Sequence, residues 1–460
     1  MKKILFVALT VAAMLFSGVT VTAASVTGTS GINVLLNRDV NATILKDLAQ
    51  YGTVLDIVSE IDALTMLIKT NKLATIKALP YVAAVGIDAV RNGAPIDTVV
   101  AVDFADGRST WNLDAINVTD YGSTDRTVAQ DGSGVYVAVL DTGLVDAWRQ
   151  YFPQERIAEE FAIAFGGGGG ENGNVSTPTN KWEHDQNSHG THVTSTILGY
   201  NMRGTPINGV APMVTIIPVK VLNQNGSGWS SVIARGIVYV AKLKLHQLKD
   251  YPVIINMSLG GSALDAVEQE AIDYAIESGV IIVASAGNEG EAGMGYPGAY
   301  EPVISVAASG WVGEWTSSSW WTGNVVEPTR ASDFYITDFS SREKTGQDLD
   351  VAAPGSWIVG PYQNNSGQTS FFYLGGTSMA SPHVAGIVAL MAQKLPTLTA
   401  LQAESILEES AIPFPAGSLE ITNSDTTKIT MTWGSDATGA GLVDAIAALD
   451  AIPKRYLNGK

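Results

Sequence analysis

The chain has 460 residues, of which 46% are hydrophobic and 16% charged, as in a globular protein with one large domain and a smaller one. The formal net charge of −18 argues against nucleic acid or an anionic membrane surface as a partner. The absence of cysteine excludes disulfides, thiol catalysis and metal sites with cysteine ligands.

Residues 1–24 are predicted to be a secretory signal peptide. A basic start precedes an apolar stretch over residues 4–16, and small residues follow up to Ala24. The apolar stretch is too short to span a membrane, and no later stretch offers about eighteen unbroken apolar residues. We therefore expect a secreted, extracellular protein without a membrane span in its mature form.

Residues 25–100 are predicted to form a small α+β domain of their own. Its function is open at this point, since it could be a binding domain with a separate task or a segment that serves the rest of the chain. Residues 91–112 are polar and contain Gly, Pro and Asp, which predicts a linker. The strands and helices expected in the small domain cover residues 32–36, 42–51, 54–58, 72–79 and 81–87.

An acidic residue follows the first strong strand pattern of the larger region. Residues 135–140 are continuously apolar and rich in Val, which predicts a buried strand that ends at Asp141. The carboxyl edge of a parallel strand is where open α/β sheets place their chemistry. Considered alone, Asp141 is better explained as a turn residue.

A histidine begins the next helical pattern, after a glycine-rich loop at residues 166–170. His189 lies in an Asn-Ser-His-Gly-Thr-His stretch, and capping of a helix is its alternative role. No pair of histidines has the spacing of a zinc-protease helix. The remaining histidines are expected to pack in the core or to lie at the surface: His184, His192, His246 and His383.

Strand and helix patterns then alternate, which predicts βαβ units. The expected fold class is therefore α/β, a mostly parallel sheet with helices on both faces, preceded by the small α+β domain. The predicted strands are residues 214–221, 253–259, 280–284 and 303–307, and the predicted helices are residues 230–248 and 263–278.

Ser378 follows Gly375 and Gly376 and precedes an apolar run over residues 384–391 that predicts a buried helix. The positive end of such a helix favours a reaction that develops an oxyanion. Helix capping by this serine is the alternative. The chain offers an aspartate, a histidine and a serine at glycine-flanked junctions, and a serine hydroxyl becomes a good nucleophile only with such partners.

These motifs resemble those of the subtilisin-like serine proteases. Asp141-Thr142-Gly143, His189-Gly190-Thr191-His192 and Gly376-Thr377-Ser378-Met379-Ala380-Ser381-Pro382 are similar to that family's three active-site signatures, in the same order. The similarity covers about residues 110–452 and includes the closing motif at residues 439–445. The resemblance implies a serine endopeptidase that cleaves peptide bonds through an acyl-enzyme on an Asp-His-Ser triad.

The resemblance also implies how substrate is held. Asn288 corresponds to the side chain that donates to the oxyanion, although Gly-Asn is also ordinary turn chemistry. Backbone pairing with protein or peptide substrates is implied for Ser258, Leu259 and Gly260 on one side and for Gly226, Ser227 and Gly228 on the other. The primary pocket is implied at the stretch Ala284-Ser285-Ala286 and at Gly295, whose small size favours large hydrophobic residues before the cleaved bond. Glu289 at the rim would also accept a basic residue.

Residues 25–100 are, by the same resemblance, an inhibitory and folding-assisting propeptide. It is expected to cover the cleft until it is cut away by self-processing, with the mature enzyme beginning near Thr110. We expect the enzyme to act as a monomer.

The chain departs from the family pattern in two places. A segment at residues 310–340 contains four tryptophans, and it could be a packed surface loop, an extension of the substrate groove or a polysaccharide-binding platform. Residues 201–207 occupy the position of the family's tight calcium loop without its full ligand pattern. A weaker structural Ca²⁺ site is predicted at Asp350 with carbonyl oxygens near residues 298, 300 and 303.

Two other functions are considered beside the endopeptidase. One is a binding module that retains the protease fold and uses the tryptophan-rich segment, and the other is an esterase, which would use the same acyl-enzyme. Because a triad needs a neutral histidine, endopeptidase activity should rise from mildly acidic toward alkaline pH.

Overall fold

A computed structural model describes residues 28–100, 109–120, 125–168, 173, 175–322, 325–363 and 369–453. The predicted signal peptide, residues 1–24, lies outside the described residues, as do the last two glycines of the loop at residues 166–170. Within the described ranges, no helix has both the length and the apolar character needed to cross a membrane.

The N-terminal part forms a four-stranded antiparallel sheet in the order β2-β3-β1-β4. Its helices cover one face, and a core of its own includes Ile32, Leu48 and Met66, which are all fully buried. The strands are β1 (Thr29–Leu36), β2 (Gly52–Val58), β3 (Ala63–Lys69) and β4 (Val82–Ile87), and the helices are α1 (Ala42–Leu48) and α2 (Leu73–Lys77).

Two short strands follow, β5 (Val90–Asn92) and β6 (Asp97–Val100), in a region where the sequence predicts a linker. The helix α3 (Trp111–Ala115) then enters the larger part of the chain, where the backbone N–H of Trp111 donates to the carbonyl of Trp321 at 3.0 Å. The linker prediction is therefore wrong for both strands, because their backbone groups pair with strands of the larger part.

The larger part is built on an eight-stranded sheet in the order β16-β15-β14-β13-β7-β11-β8, with β17 also paired to β15. The pairs are parallel except for β15 with β16. Its strands are β7 (Tyr136–Asp141), β8 (Ile163–Ala164), β11 (Thr215–Lys220), β13 (Val253–Met257), β14 (Val280–Ser285), β15 (Ile304–Trp311), β16 (Phe334–Ile336) and β17 (Val351–Pro354).

The two faces of this sheet belong to two different cores. Val137 and Val139 pack with one cluster, whereas Ala138 and Leu140 between them pack with the other, because side chains alternate along a strand. Helices cover both faces, which explains why these strands are apolar throughout rather than alternating. The predicted fold class, α/β with a mostly parallel sheet between helices, is confirmed.

Helices α4 and α7 lie on one face of the sheet, and helices α5 and α6 lie on the other. The helix α7 begins at Thr377, and its N-cap is Gly376, so the alternative interpretation of Ser378 as an N-cap is wrong. The helices of the larger part are α4 (His189–Leu198), α5 (Ser230–Leu245), α6 (Ala266–Glu277), α7 (Thr377–Lys394), α8 (Ala400–Ser410) and α9 (Ala445–Ala451).

The remaining strands form small antiparallel pairs at the surface of the larger part, apart from a three-stranded sheet in the order β18-β19-β6. They are β9 (Gly199–Met202) with β10 (Thr205–Asn208), β12 (Ser227–Trp229) with β5, β18 (Ile358–Gln363) with β19 (Thr369–Gly375), and β20 (Gly417–Thr422) with β21 (Lys428–Trp433).

The N-terminal sheet docks on α5 and α6. Asp56 binds Arg235 at 2.6 Å, and the carboxylate of Asp88 accepts from the backbone N–H and hydroxyl of Ser231 at 2.9 and 2.6 Å, at the start of α5. A carboxylate at a helix N-terminus satisfies unpaired N–H groups and the helix dipole. The N-terminal part is thus held by specific polar contacts as well as by apolar packing.

The tryptophan-rich segment packs into the molecule. Trp320 and Trp321 are 3% and 2% exposed, and the ring of Trp320 lies 5.1 Å from those of Trp315 and Tyr373. Of the three predicted roles, the packed surface loop agrees with this burial, because a binding platform needs its rings exposed.

Candidate active site

Asp141 and His189 form a fully buried hydrogen-bonded pair. Asp141 is the last residue of β7, and His189 is the first residue of α4 on the neighbouring connection. The Nδ1 atom of His189 lies 2.8 and 2.9 Å from the two carboxylate oxygens of Asp141. The carboxylate also accepts from the backbone N–H of Thr142 at 2.6 Å, which fixes its orientation. A proton on Nδ1 therefore bonds to the carboxylate and leaves Nε2 as the basic atom.

Ser378 lies in the first turn of α7 at the same edge of the sheet and is 2% exposed. Its hydroxyl donates to the carbonyl of Ser258 at 3.2 Å, and its own carbonyl accepts from the Ser258 hydroxyl at 2.8 Å. The Nε2 atom of His189 is buried, and among the described residues it has no hydrogen-bond partner. The basic nitrogen is thus available to a proton donor in the cleft.

Asn288 follows β14 after a two-residue turn and is oriented by the start of α7. Its side-chain oxygen accepts from the backbone N–H and the hydroxyl of Thr377, both at 2.9 Å. Because a backbone N–H can only donate, the accepting atom must be the amide oxygen, which leaves the NH₂ group to donate. Asn288 and Ser378 line the same cleft, so this NH₂ group can serve an oxyanion formed at the serine.

The cleft is crossed by residues 89–97, named here the crossing segment. On one side of Ser378 in the cleft, strand β5 pairs antiparallel with β12, and Asn92 exchanges backbone hydrogen bonds of 3.0 and 2.9 Å with Gly260. The N–H of Gly93 donates to the carbonyl of Gly226 at 2.8 Å. The segments predicted to bind substrate, residues 226–228 and 258–260, therefore both pair with this part of the chain itself.

On the other side of Ser378 in the cleft, the N–H of Ile96 donates to the carbonyl of Gly375 at 2.7 Å, and β6 continues antiparallel to β19. Ala94 and Pro95 lie between the two paired halves. A side chain at position 93 would come within 2.7 Å of the Ser258 carbonyl and 3.4 Å of Cε1 of His189, so the tight passage requires glycine there. Ala94 and Ile96 line the same cleft as Ser378, and we infer from the pairing on both sides that the Ala94–Pro95 bond faces this serine.

The cleft has a volume of about 500 Å³, and its lining includes Ser285, Gly287 and Gly295. Leu259 and Gly260 line it as well, and the exposed Glu289 stands at its rim, where the Glu289 carboxylate accepts from Ser341 at 3.1 Å.

Ala284, predicted to line the primary pocket, packs instead in the sheet core and is fully buried. Alternation along β14 turns the next residue of the predicted stretch, Ser285, toward the cleft. The assignment of Ala284 to the pocket is therefore wrong.

Three carboxylates meet around the predicted metal ligand. Asp348, Asp350 and Glu404 each offer an oxygen within 4.8 Å of the others. One oxygen of Asp350 accepts from the N–H and hydroxyl of Ser305 at 2.6 and 2.9 Å, whereas its other oxygen is buried without a partner among the described residues. Burial raises the pKa of Asp350 to about 8 and that of Glu404 to about 7. An orphaned carboxylate oxygen beside two further carboxylates suits a hard cation.

The other candidate calcium loop forms a β-hairpin. Residues 201–207 lie in the β9–β10 hairpin, and the side-chain oxygen of Asn201 accepts from the N–H of Gly204 at 2.8 Å. This oxygen closes the turn of the hairpin.

Sequence reasoning missed one feature of the cleft, an ion pair between Arg91 in the crossing segment and Glu268 on α6, both fully buried. The sequence does contain a sign of this ion pair. Glu268 occupies the apolar stripe of its helix, with Ala271, Ile272 and Ala275 at positions three, four and seven residues further on, where a charge needs a buried partner.

A parallel α/β sheet that brings an aspartate, a histidine and a serine to one edge, with an amide donor beside them, defines a serine hydrolase of the Asp-His-Ser type. The model of the subtilase family matches residues 132–441. The chain therefore belongs to the subtilase family, and it is a serine endopeptidase.

Individual relatives are similar over the same region. The chain is 35% identical to subtilisin DY of Bacillus licheniformis over 293 residues, which cover 62% of this chain and 88% of that protein. It is 33% identical to thermitase of Thermoactinomyces vulgaris over 57% of this chain and 77% of that protein. The solved structure of fervidolysin from Fervidobacterium pennivorans, a keratinolytic enzyme related to subtilisin, matches 92% of this chain and 61% of its own with a TM-score of 0.63. At 23% identity, that last match supports the fold alone.

Proposed function

We propose that the protein is a secreted serine endopeptidase made as a self-processing zymogen, in which residues 25–100 inhibit the enzyme until they are removed. One observation carries the proposal. The crossing segment pairs with both sides of the cleft, as a bound substrate would, and this pairing supports a position of the Ala94–Pro95 bond opposite Ser378. Secretion is proposed from the sequence of residues 1–24.

In the reaction, the hydroxyl of Ser378 attacks the carbonyl carbon of the substrate while Nε2 of His189 accepts the hydroxyl proton. Asp141 holds the imidazole and stabilises its charged form. His189 then gives the proton to the leaving nitrogen, and the C–N bond breaks to leave an ester on Ser378. Water, deprotonated by His189, hydrolyses this ester and restores the enzyme.

The negative oxygen formed in each step is proposed to be held by the NH₂ group of Asn288 and the backbone N–H of Ser378 at the start of α7. Thr377 fixes the amide before the reaction begins, so little reorganisation is needed when charge develops.

The primary pocket is proposed to take large hydrophobic residues. Ala94 occupies the position before the facing bond, and the pocket beyond it is lined by small residues, Ser285, Gly287 and Gly295. Backbone pairing accepts many sequences, which gives broad specificity.

A structural Ca²⁺ ion is proposed at the carboxylate cluster, held by Asp348, Asp350 and Glu404. The ion would neutralise charges that otherwise repel one another beneath β15 and β17. Carbonyl oxygens near residues 298, 300 and 303 stay as predicted additional ligands.

The test is hydrolysis of casein by the secreted, processed protein. The expected result is activity that a serine-directed phosphonate abolishes, with Ser378→Ala folded, inert and still joined to residues 25–100. Self-processing by the Ser378→Ala variant would show that the nucleophile is wrong. Turnover of an ester without turnover of the matched peptide would favour an esterase instead.

A further inference from the structure

Arg91 of the crossing segment inserts its whole side chain into a pocket of the larger domain. The guanidinium and the carboxylate of Glu268 are both 0% exposed. The Nε atom of Arg91 lies 3.1 Å from each carboxylate oxygen, and Nη2 makes the closest contact with Glu268. The same Nη2 donates to the carbonyl of Ala263 at 2.9 Å. A forked, charge-assisted pair of this kind recognises arginine in particular.

The position of this pocket relative to the cleaved bond is fixed by backbone pairing. Arg91 pairs with Gly228, Asn92 pairs with Ser227 and Gly260, and Gly93 donates to Gly226. Counted from the Ala94–Pro95 bond, Arg91 is the fourth residue upstream. Because these hydrogen bonds involve only backbone atoms, any extended substrate in this register places its fourth residue at the same pocket.

The pocket itself belongs to the enzyme and not to the crossing segment. Glu268 is in the first turn of α6, and Gly261 forms part of the wall. A Cβ atom at position 261 would lie 2.8 Å from Nη1 and 3.4 Å from Cδ of Arg91, so glycine leaves the space that the guanidinium fills. Both residues remain after residues 25–100 are removed.

A second carboxylate adds to the negative potential of the pocket. Asp265 caps α6, where one of its oxygens accepts from the N–H groups of Val267 and Glu268 at 3.0 and 3.1 Å. Its other oxygen is buried without a partner among the residues that the structure describes. A neutral side chain in the pocket would displace water from Glu268 without replacing its hydrogen bonds and would leave the negative charge of both carboxylates uncompensated.

We propose that Glu268 is a specificity-determining residue, which makes the mature protease select arginine at the fourth position before the cleaved bond. This rests on the proposed endopeptidase function and on the register of the crossing segment. Lysine is a poorer ligand, since a single ammonium cannot match the fork, and aliphatic residues are disfavoured.

The test uses the processed wild-type enzyme and quenched fluorescent peptides Val-X-Asn-Gly-Phe-Ser-Ile, in which X is arginine, citrulline, lysine or leucine. Citrulline keeps the shape of arginine and removes its charge. The expected kcat/KM for arginine exceeds that for citrulline and leucine about 10- to 100-fold, in the range that close charge pairs give at interfaces. Values for arginine and citrulline within about twofold of each other would overturn the proposal.

Glu268→Gln should bring the arginine-to-citrulline ratio close to one. The matched control is Glu277→Gln, which removes the same charge from an exposed site on the same helix and should keep the wild-type ratio. An unchanged ratio in Glu268→Gln would contradict the role of this carboxylate, and if that variant does not fold, the wild-type series alone decides. Cleavage of all peptides at equal rates would contradict the proposed arginine specificity only. Failure to cleave any peptide or casein would contradict the proposed endopeptidase function.

Discussion

At the scale of single residues, the proposed catalytic groups are oriented by threonines that lie within the same motifs. Thr377 fixes the amide of Asn288 with two hydrogen bonds of 2.9 Å. The N–H of Thr142 donates to Asp141, and the hydroxyl of Thr142 accepts from the N–H of Gly190 at 2.8 Å. Each of these contacts orients a group before substrate arrives, which is the condition for electrostatic stabilisation of a transition state.

Replacement of Asn288 by alanine should lower kcat with little change in KM, because the lost hydrogen bond forms only with the developing oxyanion. Removal of the equivalent donor in subtilisin costs about 10²–10³-fold in kcat. Steady-state kinetics on a peptide substrate measure the effect, with Asn423→Ala in a distant turn as the control. A rise in KM at unchanged kcat would mean that Asn288 binds the ground state.

His383 gives a prediction for stability against pH. It is fully buried in α7, where Nδ1 donates to the carbonyl of Met379 at 2.8 Å and Nε2 accepts from Asn112 at 2.7 Å. Burial lowers the pKa of His383 to about 4. In the unfolded chain the imidazole binds a proton below its ordinary pKa of about 6.5, whereas the buried imidazole stays neutral down to about pH 4. The stability that neutral His383 contributes is therefore present above about pH 6.5 and is lost as pH falls toward 4.

Chemical denaturation of Ser378→Ala, which cannot digest itself, measures this contribution. Between pH 7 and pH 5 the loss from His383 should be on the order of 2 kcal/mol. The double variant with His383→Gln should lack that part of the pH dependence, although it starts from a lower stability. An identical slope in the two proteins would show that His383 does not stay neutral when buried.

At the scale of elements, sequence periodicity predicts the strands and helices whose positions are determined by burial of apolar side chains. The strands around Asp141 and Ser285 and the helices α5 and α6 lie close to their predicted bounds, because continuous apolar runs and 3.6-residue stripes have one good solution in a layered fold. Strands β5 and β6 have no such pattern. Their pairing comes from the cleft they cross, and polar residues beside Gly and Pro cannot reveal a partner that is distant in sequence.

The residues of the site are likewise predictable only where a local motif marks them. Asp141, His189 and Ser378 are identifiable from motifs, and the structure brings Asp141 and His189 into contact and places Ser378 in the adjoining cleft. Within the predicted pocket stretch, Ser285 lines the cleft and Ala284 does not, because a strand pattern gives burial on both faces without saying which face meets the cleft.

Pro95 gives a prediction about the crossing segment. A proline nitrogen carries a ring carbon where other residues have hydrogen, and the ring restricts the backbone next to the bond that faces Ser378. We expect this bond to resist cleavage, so that the crossing segment stays intact in the cleft while processing occurs elsewhere. Pro95→Ala should add a cut between residues 94 and 95, visible by mass spectrometry of the processing products.

The control for this experiment is Pro95→Ala combined with Ser378→Ala, in which the new fragment should be absent. Wild-type products that already end at Ala94 would contradict the prediction, because they would show that the bond before proline is cut readily.

At the scale of the whole molecule, stability must come from packing and ions, since the chain has no cysteine. The two cores on either side of the sheet provide the packing. The carboxylate cluster at Asp348, Asp350 and Glu404 provides a place where a cation would join β17 to α8. With a net charge of −18, the molecule also gains from any bound positive charge.

Calcium should therefore raise the melting temperature. At a free concentration about 100 times Kd, binding to the folded state adds about 2.7 kcal/mol, or a few degrees in a protein of this size. Calorimetry of Ser378→Ala in calcium and in chelator measures the shift, which Asp350→Asn should abolish and Asp425→Asn, at an exposed turn, should preserve. A melting temperature that calcium does not change would remove the proposed site.

The most direct measurement is labelling of the purified precursor and the processed protein with a fluorophosphonate, followed by mass spectrometry. We predict that the processed form carries one label on Ser378 and lacks residues 25–100, whereas the precursor, with its cleft filled by the crossing segment, is labelled far more slowly. A label on another residue, or equal rates for both forms, would contradict it.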